Sequence, residues 1–374
     1  MVCMILPVGT LAADSKASGG RPDITLQPVS KTAFEDRNVS FTVNATGTGL
    51  KYQWYYRNSS TDTWKVWTGR TAKKLEFSAY ASRSGHQYTC KVTNSAGKYI
   101  FSKTATLYVN KINYRALLVG QKYANYYDTN SRLPACEKDA YRMKSMLASV
   151  KGAKGRNWYV TTKIDLTYSG LQSAIKTAFA NADDNDVNLF YYSGHGTSSG
   201  SLCTVNGSYI DTMSTYTLAS LLKNVKGKVI VMLDCCYSGA AIGKDMGSTA
   251  SDPDSFNDAV VKAFAAENGV ITDYTTDATA KSGELATSKF LVLTASNKNQ
   301  MSWCNNDYGY FTYYVALGSK GAADTDKNKK VSLNELYNYV YRNAKGPYYS
   351  GGEYYYQYTQ VYPTGSYYTL FATN

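Results

Sequence analysis

The sequence predicts two domains, an all-β sandwich followed by an α/β domain with a mostly parallel sheet. Short segments of alternating apolar and polar residues, separated by polar turns, fill the chain from about Asp23 to Asn110. After Asn110, strand-like apolar runs alternate with helical stretches, which is the pattern of βαβ units. At 374 residues the chain is long enough for each domain to bury a core of its own.

Five segments of the N-terminal region alternate as strands do: VSFTVNATG, LKYQWYYRN, KLEFSA, HQYTCKVTN and ATLYVN. Their spacing, the core-type Trp54 and the strand around Cys90 resemble an immunoglobulin-like sandwich. Where such domains carry their first cysteine this chain has Phe41 and Val43, so no inter-sheet disulfide is expected. Tyr88, two residues before Cys90, is predicted to form a tyrosine corner.

Apolar runs of the C-terminal region predict five buried strands, at Tyr114–Gly120, Trp158–Thr162, Val187–Ser193, Lys228–Leu233 and Phe290–Thr294. Helical patterns predict helices at Cys136–Ala148, Ser169–Ala182, Thr215–Lys223, Tyr310–Leu317 and Leu333–Arg342. A last strand is predicted at Tyr367–Phe371 in the tyrosine-rich C-terminus.

Composition excludes several classes of function. The net charge is +12, but the Lys and Arg residues are scattered, so we expect affinity for anionic surfaces such as a bacterial envelope and no nucleic-acid partner. Seven cysteines is an odd number, which excludes a complete internal disulfide framework. With two histidines and no C-x-x-C spacing, a Cys/His zinc site is not expected.

The first residues predict export. The apolar stretch Met1–Ala13 ends in small residues and then turns polar, which resembles the end of a secretory signal peptide, although the usual basic segment is missing. We therefore divide the chain into a signal-peptide remnant and linker (1–22), an immunoglobulin-like domain (23–110) and a second domain (111–374). The expected location is secreted or at a bacterial cell surface, with an envelope or extracellular ligand for the N-terminal domain. No other apolar run reaches the roughly 18 residues that a membrane span needs.

Two short motifs at predicted strand ends carry the chemistry. The run LFYYSGHG places His195 on the loop after one buried strand, and VIVMLDCCYSG places Cys236 after the next. Sites form at the carboxyl ends of the strands in an open parallel sheet, so both groups are expected at one edge. Either motif alone is more often structural, since a cysteine that ends an apolar strand is usually an inert core thiol. Their joint occurrence on consecutive strand ends indicates catalysis.

A cysteine beside a histidine is the arrangement of a nucleophile with its base. A thiol attacks a carbonyl well only as the thiolate, which a neighbouring imidazole promotes. The same histidine, once protonated, gives its proton to the leaving amine. The backbone N–H groups of Gly196 and Cys236 are the expected donors to the oxyanion, because glycine lets the backbone approach closely.

These motifs, Y-S-G-H-G followed by D-x-C-x-S-G, resemble the catalytic pair of caspase/metacaspase cysteine peptidases. The resemblance covers roughly Asn113–Phe371 and includes YRALLVGQKY, LPACEKDAYRM, FLVLTASNKNQ and QVYPTGSYYTLF. It implies a caspase-like three-layer sandwich, in which a mostly parallel six-stranded sheet has helices on both faces. It also implies a cysteine endopeptidase with a dyad of His195 and Cys236, Gly196 in the oxyanion hole and no cofactor required for the chemistry. Tyr237 departs from the histidine common in metacaspases.

Metacaspases cut after Arg or Lys, and the resemblance implies protein or peptide substrates with such a residue before the scissile bond (position P1). The family's acidic pocket corresponds here to Asp234 and Asp139, with Ser193 and Cys136 lining it. A buried carboxylate pair repels itself unless a substrate cation neutralises it, which makes a basic P1 residue selective. Asp139 has a second interpretation, as a first-turn helix residue that complements the helix dipole. An Asp-specific pocket would need arginines, for which Arg132 is the only nearby candidate.

The segment Asp324–Glu335 has the ligand spacing of an EF-hand-type loop, so Ca²⁺ is a possible ligand. Lys330 would supply a backbone carbonyl, and the side-chain ligands would be Asp324, Asp326, Asn328, Ser332 and Glu335. Lys329 occupies the position where glycine is expected and would have to accept an unusual backbone geometry. The alternative is a solvated loop before a capped helix, with Ser332 as N-cap and Glu335 three residues on.

A long polar segment, from Gly239 to Lys289, joins the strand of Cys236 to the next core strand. A loop of this length is usually functional or disordered. An enzyme with an acidic pocket is expected to cut itself there, at Lys262 and Lys281, which resembles the two-subunit maturation of the family. The alternative is an ordered lid that is never cut.

Two other functions compete with this interpretation. The first is a binding protein, an adhesin whose caspase fold is inactive, but such a protein has no need of an intact histidine and cysteine pair. The second is a legumain- or clostripain-like peptidase, which shares the His-Gly and Cys chemistry. The D-x-C-x-S-G frame favours metacaspases over this second alternative.

Overall fold

The computed structural model of the chain describes residues 20–197, 201–237, 289–296 and 300–373. The chain divides into two compact units, Met1–Ile112 and Asn113–Asn374. The predicted signal-peptide remnant lies almost wholly outside the described residues, and the predicted cleavage residues Lys262 and Lys281 lie outside them as well. Within the described ranges, no helix is both long and apolar enough to cross a membrane.

The N-terminal unit is all-β, because β-branched and aromatic residues alternate with polar ones along its strands. Strands β2, β10, β8, β5 and β6 form one sheet in that order, with β9 also on β8, while β3 pairs with β7 and β1 with β4. The inward-facing residues meet around the fully buried Trp54. The strands are β1 Asp23–Leu26, β2 Lys31–Phe34, β3 Asn38–Thr42, β4 Asn44–Thr46, β5 Lys51–Arg57, β6 Lys65–Val66, β7 Lys74–Ser78, β8 Gln87–Thr93, β9 Tyr99–Phe101 and β10 Ala105–Asn110.

Two residues of strand β8 decide how closely this unit follows the immunoglobulin pattern. Cys90 is a buried free thiol whose strand partner is Trp54. The prediction of a tyrosine corner is wrong, because the buried Tyr88 hydroxyl has no hydrogen-bond partner among the described residues. The Tyr88 ring packs against Phe41 and Phe77, each at a ring-centre distance of 5.1 Å. This aromatic cluster draws the side chain into the core and away from the main chain.

The C-terminal unit alternates strands and helices. Its helices start at recognisable signals, such as Pro134 in the first turn of α1 and the side-chain caps of Thr167, Ser214 and Ser332 on α2, α3 and α5. The helices are α1 Pro134–Ser149, α2 Tyr168–Ala178, α3 Thr215–Lys223, α4 Tyr310–Leu317 and α5 Leu333–Asn343. The strands are β11 Tyr114–Gly120, β12 Trp158–Ile164, β13 Val187–Gly196, β14 Ser201–Asn206, β15 Tyr209–Ser214, β16 Lys228–Tyr237, β17 Phe290–Thr294, β18 Lys330–Ser332, β19 Tyr348–Ser350, β20 Glu353–Tyr355, β21 Gln360–Tyr362 and β22 Thr369–Ala372.

The central sheet has the strand order β12-β11-β13-β16-β17-β21. Its first five strands are parallel and β21 is antiparallel at the edge, which confirms the predicted mostly parallel sheet of six strands. Because helices cover the sheet, the central strands read as continuous apolar runs rather than alternating ones. All ten residues of β13 are buried.

The two faces of the sheet have different neighbours. Helices α2 and α3 pack on one face, in a buried cluster that includes Val231, Leu233 and Cys235 of strand β16. Alternation along the strands places Ser193, His195 and Asp234 on the opposite face. Contacts from α1 and α4 cover that second face. Both faces bury apolar side chains, and the polar groups of the predicted site all lie on the face covered by α1 and α4.

The structure departs from the predicted elements in several places, and two of them concern the sheet. The hairpin of β14 and β15 was not predicted, and it extends the sheet from the end of β13 by the pair Gly196 and Leu202. The last strand begins later than predicted and pairs with β18, so it lies outside the central sheet. The edge of the central sheet is formed by β21 instead, with Tyr362 opposite Val292.

Candidate active site

The motif histidine and the motif cysteine are neighbours in the sheet. Strands β13 and β16 pair in register over ten residues, and the pairing brings His195 opposite Cys236. The prediction that His195 lies on a loop is therefore wrong, and the strand of Cys236 is longer than predicted, because the ladder continues through both residues to Gly196 and Tyr237. Neighbouring strands lie about 4.8 Å apart, so the two backbones are within reach of one another's side chains. For Cys236 and Tyr237 the structure describes the backbone alone.

The imidazole of His195 is held in one orientation. It is only 3% exposed, and its Nε2 lies 2.7 Å from the carbonyl oxygen of Ser131. Because a carbonyl only accepts hydrogen bonds, the proton of the neutral ring belongs on Nε2, and Nδ1 is the basic nitrogen. Burial lowers the pKa of His195, against a smaller opposing effect of the Ser131 hydrogen bond. The ring is therefore neutral at pH 7 and suited to accept a proton.

Sequence reasoning found no third partner for the histidine, and the structure supplies one from the main chain. Ser131 ends a short helical turn, Thr129–Ser131, whose preceding residue Asp128 accepts hydrogen bonds from the Asn130 N–H and the Ser131 Oγ. This capping fixes the direction of the Ser131 carbonyl. The Asp-x-x-Ser spacing of the sequence predicts the capped turn, but it does not predict that the Ser131 carbonyl binds the histidine.

The first glycine of the S-G-H-G motif is required for steric reasons. A Cβ on Gly194 would lie 2.6 Å from the Tyr192 hydroxyl and 2.8 Å from the Tyr123 hydroxyl, too close for any other residue. Gly196, the predicted oxyanion donor, lies at the end of β13, where it pairs with both Tyr237 and Leu202. The Cys236 backbone stands one position earlier on the adjacent strand.

The four predicted pocket residues are close together and buried. The Ser193 hydroxyl donates to Asp139 Oδ2 at 3.1 Å, which links β13 to α1. Asp139 is 1% exposed and Asp234 is 5% exposed. Cys136 lies one turn before Asp139 on α1, and burial followed by the charge of Asp139 raises the pKa of its thiol. Asp139 is thus more than a surface residue that complements the helix dipole.

Three further residues hold the two carboxylates, and sequence reasoning missed all of them. Asp234 accepts from the Ser302 hydroxyl at 2.7 Å and from the Thr312 hydroxyl at 2.5 Å. Asp139 accepts from the Gly309 backbone N–H at 3.0 Å. A Cβ on Gly309 would collide with Asp234 Oδ2 and lie 3.1 Å from Asp139 Oδ2. Glycine is therefore required where the chain passes between the two acids.

The two acids disfavour each other's charge. Burial raises the pKa of Asp139 well above its ordinary value, and the neighbouring charge of Asp234 raises it further. Burial also raises the pKa of Asp234, although the hydrogen bonds from Thr312 and Ser302 oppose that effect. Asp234, with its short bonds from hydroxyl donors, is the better stabilised anion, and Asp139 is the member that retains a proton. A bound cation would favour ionisation of both.

Arg132 is not directed at these acids. Its Nε and its Nη2 donate to the carbonyl oxygen of Tyr126, at 3.0 and 2.7 Å. The guanidinium thus serves to fold the segment before α1. The one arginine considered for an Asp-specific pocket has a structural partner.

The calcium-type loop has features of both of its interpretations. Oxygens of Asp324, Asp326 and Glu335 lie within 4.8 Å of one another. Lys329 has φ +62°, the left-handed conformation that the glycine position of such a loop requires. Ser332 and Glu335 also form the predicted capping box of α5. The capped helix and the clustered oxygens therefore coexist.

The fold and these residues define a caspase-like protease fold, and comparison with protein families agrees. The caspase domain family model, Peptidase_C14, matches residues 113–366, more than half of the chain. The immunoglobulin I-set domain model matches residues 22–109. The chain belongs to the caspase domain family, a family of cysteine peptidases. No curated protein matched the sequence.

Some solved structures resemble parts of this chain, at low sequence identity. Protein GSU0716 from Geobacter sulfurreducens is 20% identical over 70% of this chain and 94% of its own, with a TM-score of 0.40. The immunoglobulin domains 1–5 of Sidekick-1 are 17% identical over 24% of this chain and 20% of their own, with a TM-score of 0.20. The titin domains z1z2 in complex with telethonin are 19% identical over 27% of this chain and 57% of theirs, with a TM-score of 0.18.

Proposed function

We propose that the protein is a cysteine endopeptidase that cuts after Arg or Lys with a dyad of His195 and Cys236. The observation that carries the proposal is the backbone pairing of these two residues at the carboxyl ends of the neighbouring strands β13 and β16. It is supported by the neutral, oriented imidazole and by the buried acid pair on the same face of the sheet. The inactive adhesin is the alternative, and it gives no reason for a buried histidine whose basic nitrogen is Nδ1.

The reaction follows from the positions of these groups. His195 Nδ1 takes the proton of the Cys236 thiol, and the thiolate attacks the scissile carbonyl carbon. The N–H groups of Gly196 and Cys236 donate to the oxyanion that forms. The imidazolium then gives its proton to the leaving amine, and the C–N bond breaks to leave a thioester. Water attacks the thioester with His195 again as base, which releases the acid product and the thiol.

The preference for a basic P1 residue rests on the acid pair. Two carboxylates in an enclosed site hold a proton between them unless a cation is present. Arg or Lys supplies that cation, whereas an acidic P1 side chain would add a third negative charge. Arg132 binds the Tyr126 carbonyl and is therefore not directed at the pocket, and the charge of Arg142 offsets that of Asp139 only slightly.

A small panel of fluorogenic peptides tests both parts of the proposal. Peptides that end in Arg, Lys, Asp and Asn are incubated with wild type and with Cys236→Ala, with and without calcium. We expect cleavage of the Arg and Lys peptides by wild type alone. Preference for Asp would overturn the specificity and leave the dyad intact. Equal cleavage by Cys236→Ala would overturn the dyad.

We also propose that the enzyme processes itself within residues 239–289, at Lys262 and Lys281. The basic preference of the acid pair supports this, because both lysines belong to the same chain as the pocket. Purified wild type is compared with Cys236→Ala on a denaturing gel, and the smaller fragment is sequenced from its N-terminus. Two fragments are expected from wild type only. A fully active wild type that remains one intact chain would exclude self-processing.

Calcium binding at Asp324–Glu335 is a further part of the proposal. It is supported by the clustered oxygens of Asp324, Asp326 and Glu335 and by the backbone of Lys329. The ion would be held by these carboxylates together with Asn328 and the Lys330 carbonyl. It would take no part in the cleavage chemistry.

A further inference from the structure

The strand that carries His195 loses its neighbour just before the histidine. The ladder between β11 and β13 ends at the pair Gly120 and Ser193, and the last bond on this side runs from the Gln121 N–H to the Ser193 carbonyl at 2.8 Å. Alternate residues of a strand direct their backbone polar groups to the same side. The N–H and carbonyl of His195 therefore face the side where β11 has ended.

Two buried phenols take the place of the missing strand. The His195 N–H donates to the Tyr123 hydroxyl at 2.8 Å, and the Tyr192 hydroxyl lies within donating distance of two carbonyls, that of His195 at 2.9 Å and that of Cys203 at 2.7 Å. The Tyr123 hydroxyl in turn donates to the Cys203 carbonyl at 3.0 Å. Burial raises the pKa of both tyrosines well above the ordinary value, so both remain protonated donors.

Tyr123 also contacts the imidazole itself. The two ring centres are 4.8 Å apart, with an angle of 31° between the planes. A second constraint on the ring is the hydrogen bond between Nε2 and the Ser131 carbonyl. The ring of His195 is thus held on its face by Tyr123 and at its edge by Ser131.

Tyr123 reaches this position only in an unfavourable backbone conformation. Its φ is +55°, in the left-handed region that a bulky residue rarely adopts. Such a conformation persists only where the surroundings impose it. The tyrosine therefore depends on whatever holds its backbone.

A single carboxylate holds that backbone. Asp165, which follows β12, accepts from the N–H groups of Lys122 at 2.8 Å and Tyr123 at 2.9 Å through Oδ1, and from that of Ala124 at 3.1 Å through Oδ2. Three successive amides that converge on one acid form an anion-binding turn. Asp165 itself has φ +51°, which aspartate tolerates better than most residues.

We propose that Asp165 and Tyr123 are positioning residues for the catalytic histidine. Asp165 fixes the turn of residues 122–124, the turn imposes the left-handed conformation on Tyr123, and Tyr123 sets the backbone and the ring plane of His195. Neither residue touches the substrate. The inference rests on the proposed role of His195, but it is independent of the preference for Arg or Lys.

The first test measures catalysis in three variants. Asp165→Ala removes the amide anchor, Asp165→Asn retains a carbonyl acceptor for two of the amides, and Tyr123→Phe retains the ring without the hydroxyl. We expect Asp165→Ala to lower kcat about tenfold to 100-fold with little change in KM, since small misplacements of a catalytic group cost that much. Asp165→Asn should recover most of the loss. Equal loss in Ala and Asn variants would overturn the anchoring role.

The second test reads the imidazole directly and does not require activity. The chain has two histidines, so ¹⁵N NMR of a His86→Gln background reports His195 alone. Wild type should show the Nε2–H tautomer and a pKa below the ordinary value of 6.5. In Asp165→Ala, we expect a tautomer mixture and a pKa that rises towards 6.5 as the ring gains access to water. An unchanged tautomer and pKa, with only a lower Tm, would show that Asp165 is merely structural and overturn the proposal.

Discussion

Two clusters of carboxylates in the C-terminal unit differ in what surrounds them. Asp139 and Asp234 are buried, and their own charges oppose one another. Asp326, in the loop, is exposed, and Asp324 beside it accepts the backbone N–H groups of Asn328 and Lys329. Arg142 offsets the charge of Asp139 only slightly, whereas the exposed loop has water and its own amides. Acidic residues close together are thus no measure of function, and the energetic cost of their burial is the better guide.

This contrast predicts that substitutions at the carboxyl ends of β13 and β16 affect the chemistry and that those in the loop Asp324–Glu335 affect stability. The largest effect is expected for Cys236→Ala, which removes the proposed nucleophile and should lower kcat by at least about 10⁴-fold. Cys235→Ala is the matched control, because Cys235 packs in the apolar core beside α2 and α3. It should lose some stability and keep much of the activity. Steady-state assays and thermal melts of both variants decide this, and equal inactivation would refute the assignment.

The second prediction concerns the cost of the buried charges. Asp139→Asn replaces the member that retains a proton by its neutral isostere, so folding at pH 7 no longer requires the uptake of a proton that the unfolded chain has released. A raised folded pKa means that Asp139 destabilises the protein as pH rises above its unfolded value of about 3.9. We expect the variant to have a higher Tm than wild type at pH 7 and about the same Tm at pH 4.

The same variant should lose affinity for basic substrates. Removal of one of two buried partners of a cation typically costs about 10²-fold or more in kcat/KM. In wild type, KM for an Arg peptide should rise as pH falls, because protons compete with the substrate cation for the pair. A variant that is both less stable and fully active towards Arg peptides would contradict the proposed pocket.

The comparison also shows which parts of the molecule the sequence made predictable. Strands β11 and β17 and helices α3 and α4 were predicted to the residue, since each is an apolar or amphipathic run between clear boundaries. The edge of the sheet was predictable because consecutive parallel strands must present their ends together. The contact between Gly309 and Asp139 was not, because the residues are 170 positions apart and no local pattern connects them.

The position of Tyr123 could not be predicted from the sequence either, because its backbone conformation depends on a distant residue. Its left-handed conformation depends on Asp165, 42 residues further along the chain. Propensity argues against such a conformation for tyrosine, so local rules point away from it. The places where local preference fails are those where tertiary contacts hold functional groups.

The third prediction tests how tightly the buried pair is enclosed. Gly309→Ala adds a methyl group that collides with Asp234 Oδ2. The segment must shift, which should weaken the bonds from Gly309 to Asp139 and raise KM for Arg peptides about tenfold, with a smaller change in kcat. Gly170→Ala, in the first turn of α2, is the control, since the atoms nearest to its methyl would be Thr167 Oγ1 and the side chain of Leu166. Equal KM values in the two variants would show that the 309 segment does not shape the pocket.

The smallest effect is expected at the loop, and it is the effect that separates the two clusters most directly. Calcium should bind at Asp324–Glu335 with a Kd of about 10⁻⁴–10⁻³ M, because a lysine replaces the usual glycine and the loop is exposed. Since Lys329 already has φ +62°, the turn needs no rearrangement to accept the ion. At about ten times the Kd, binding would raise Tm by a few degrees and leave kcat within about twofold.

Isothermal titration of wild type and Asp324→Ala measures this binding, and magnesium in place of calcium is the ion control. Asp324 accepts the N–H groups of Asn328 and Lys329, so its removal should abolish the heat of calcium binding and loosen the turn. Asp139→Asn should leave the titration unchanged, because the buried pair plays no part in this site. Identical heats in wild type and Asp324→Ala would mean that the loop binds no ion and that the capping box of Ser332 and Glu335 is its whole function.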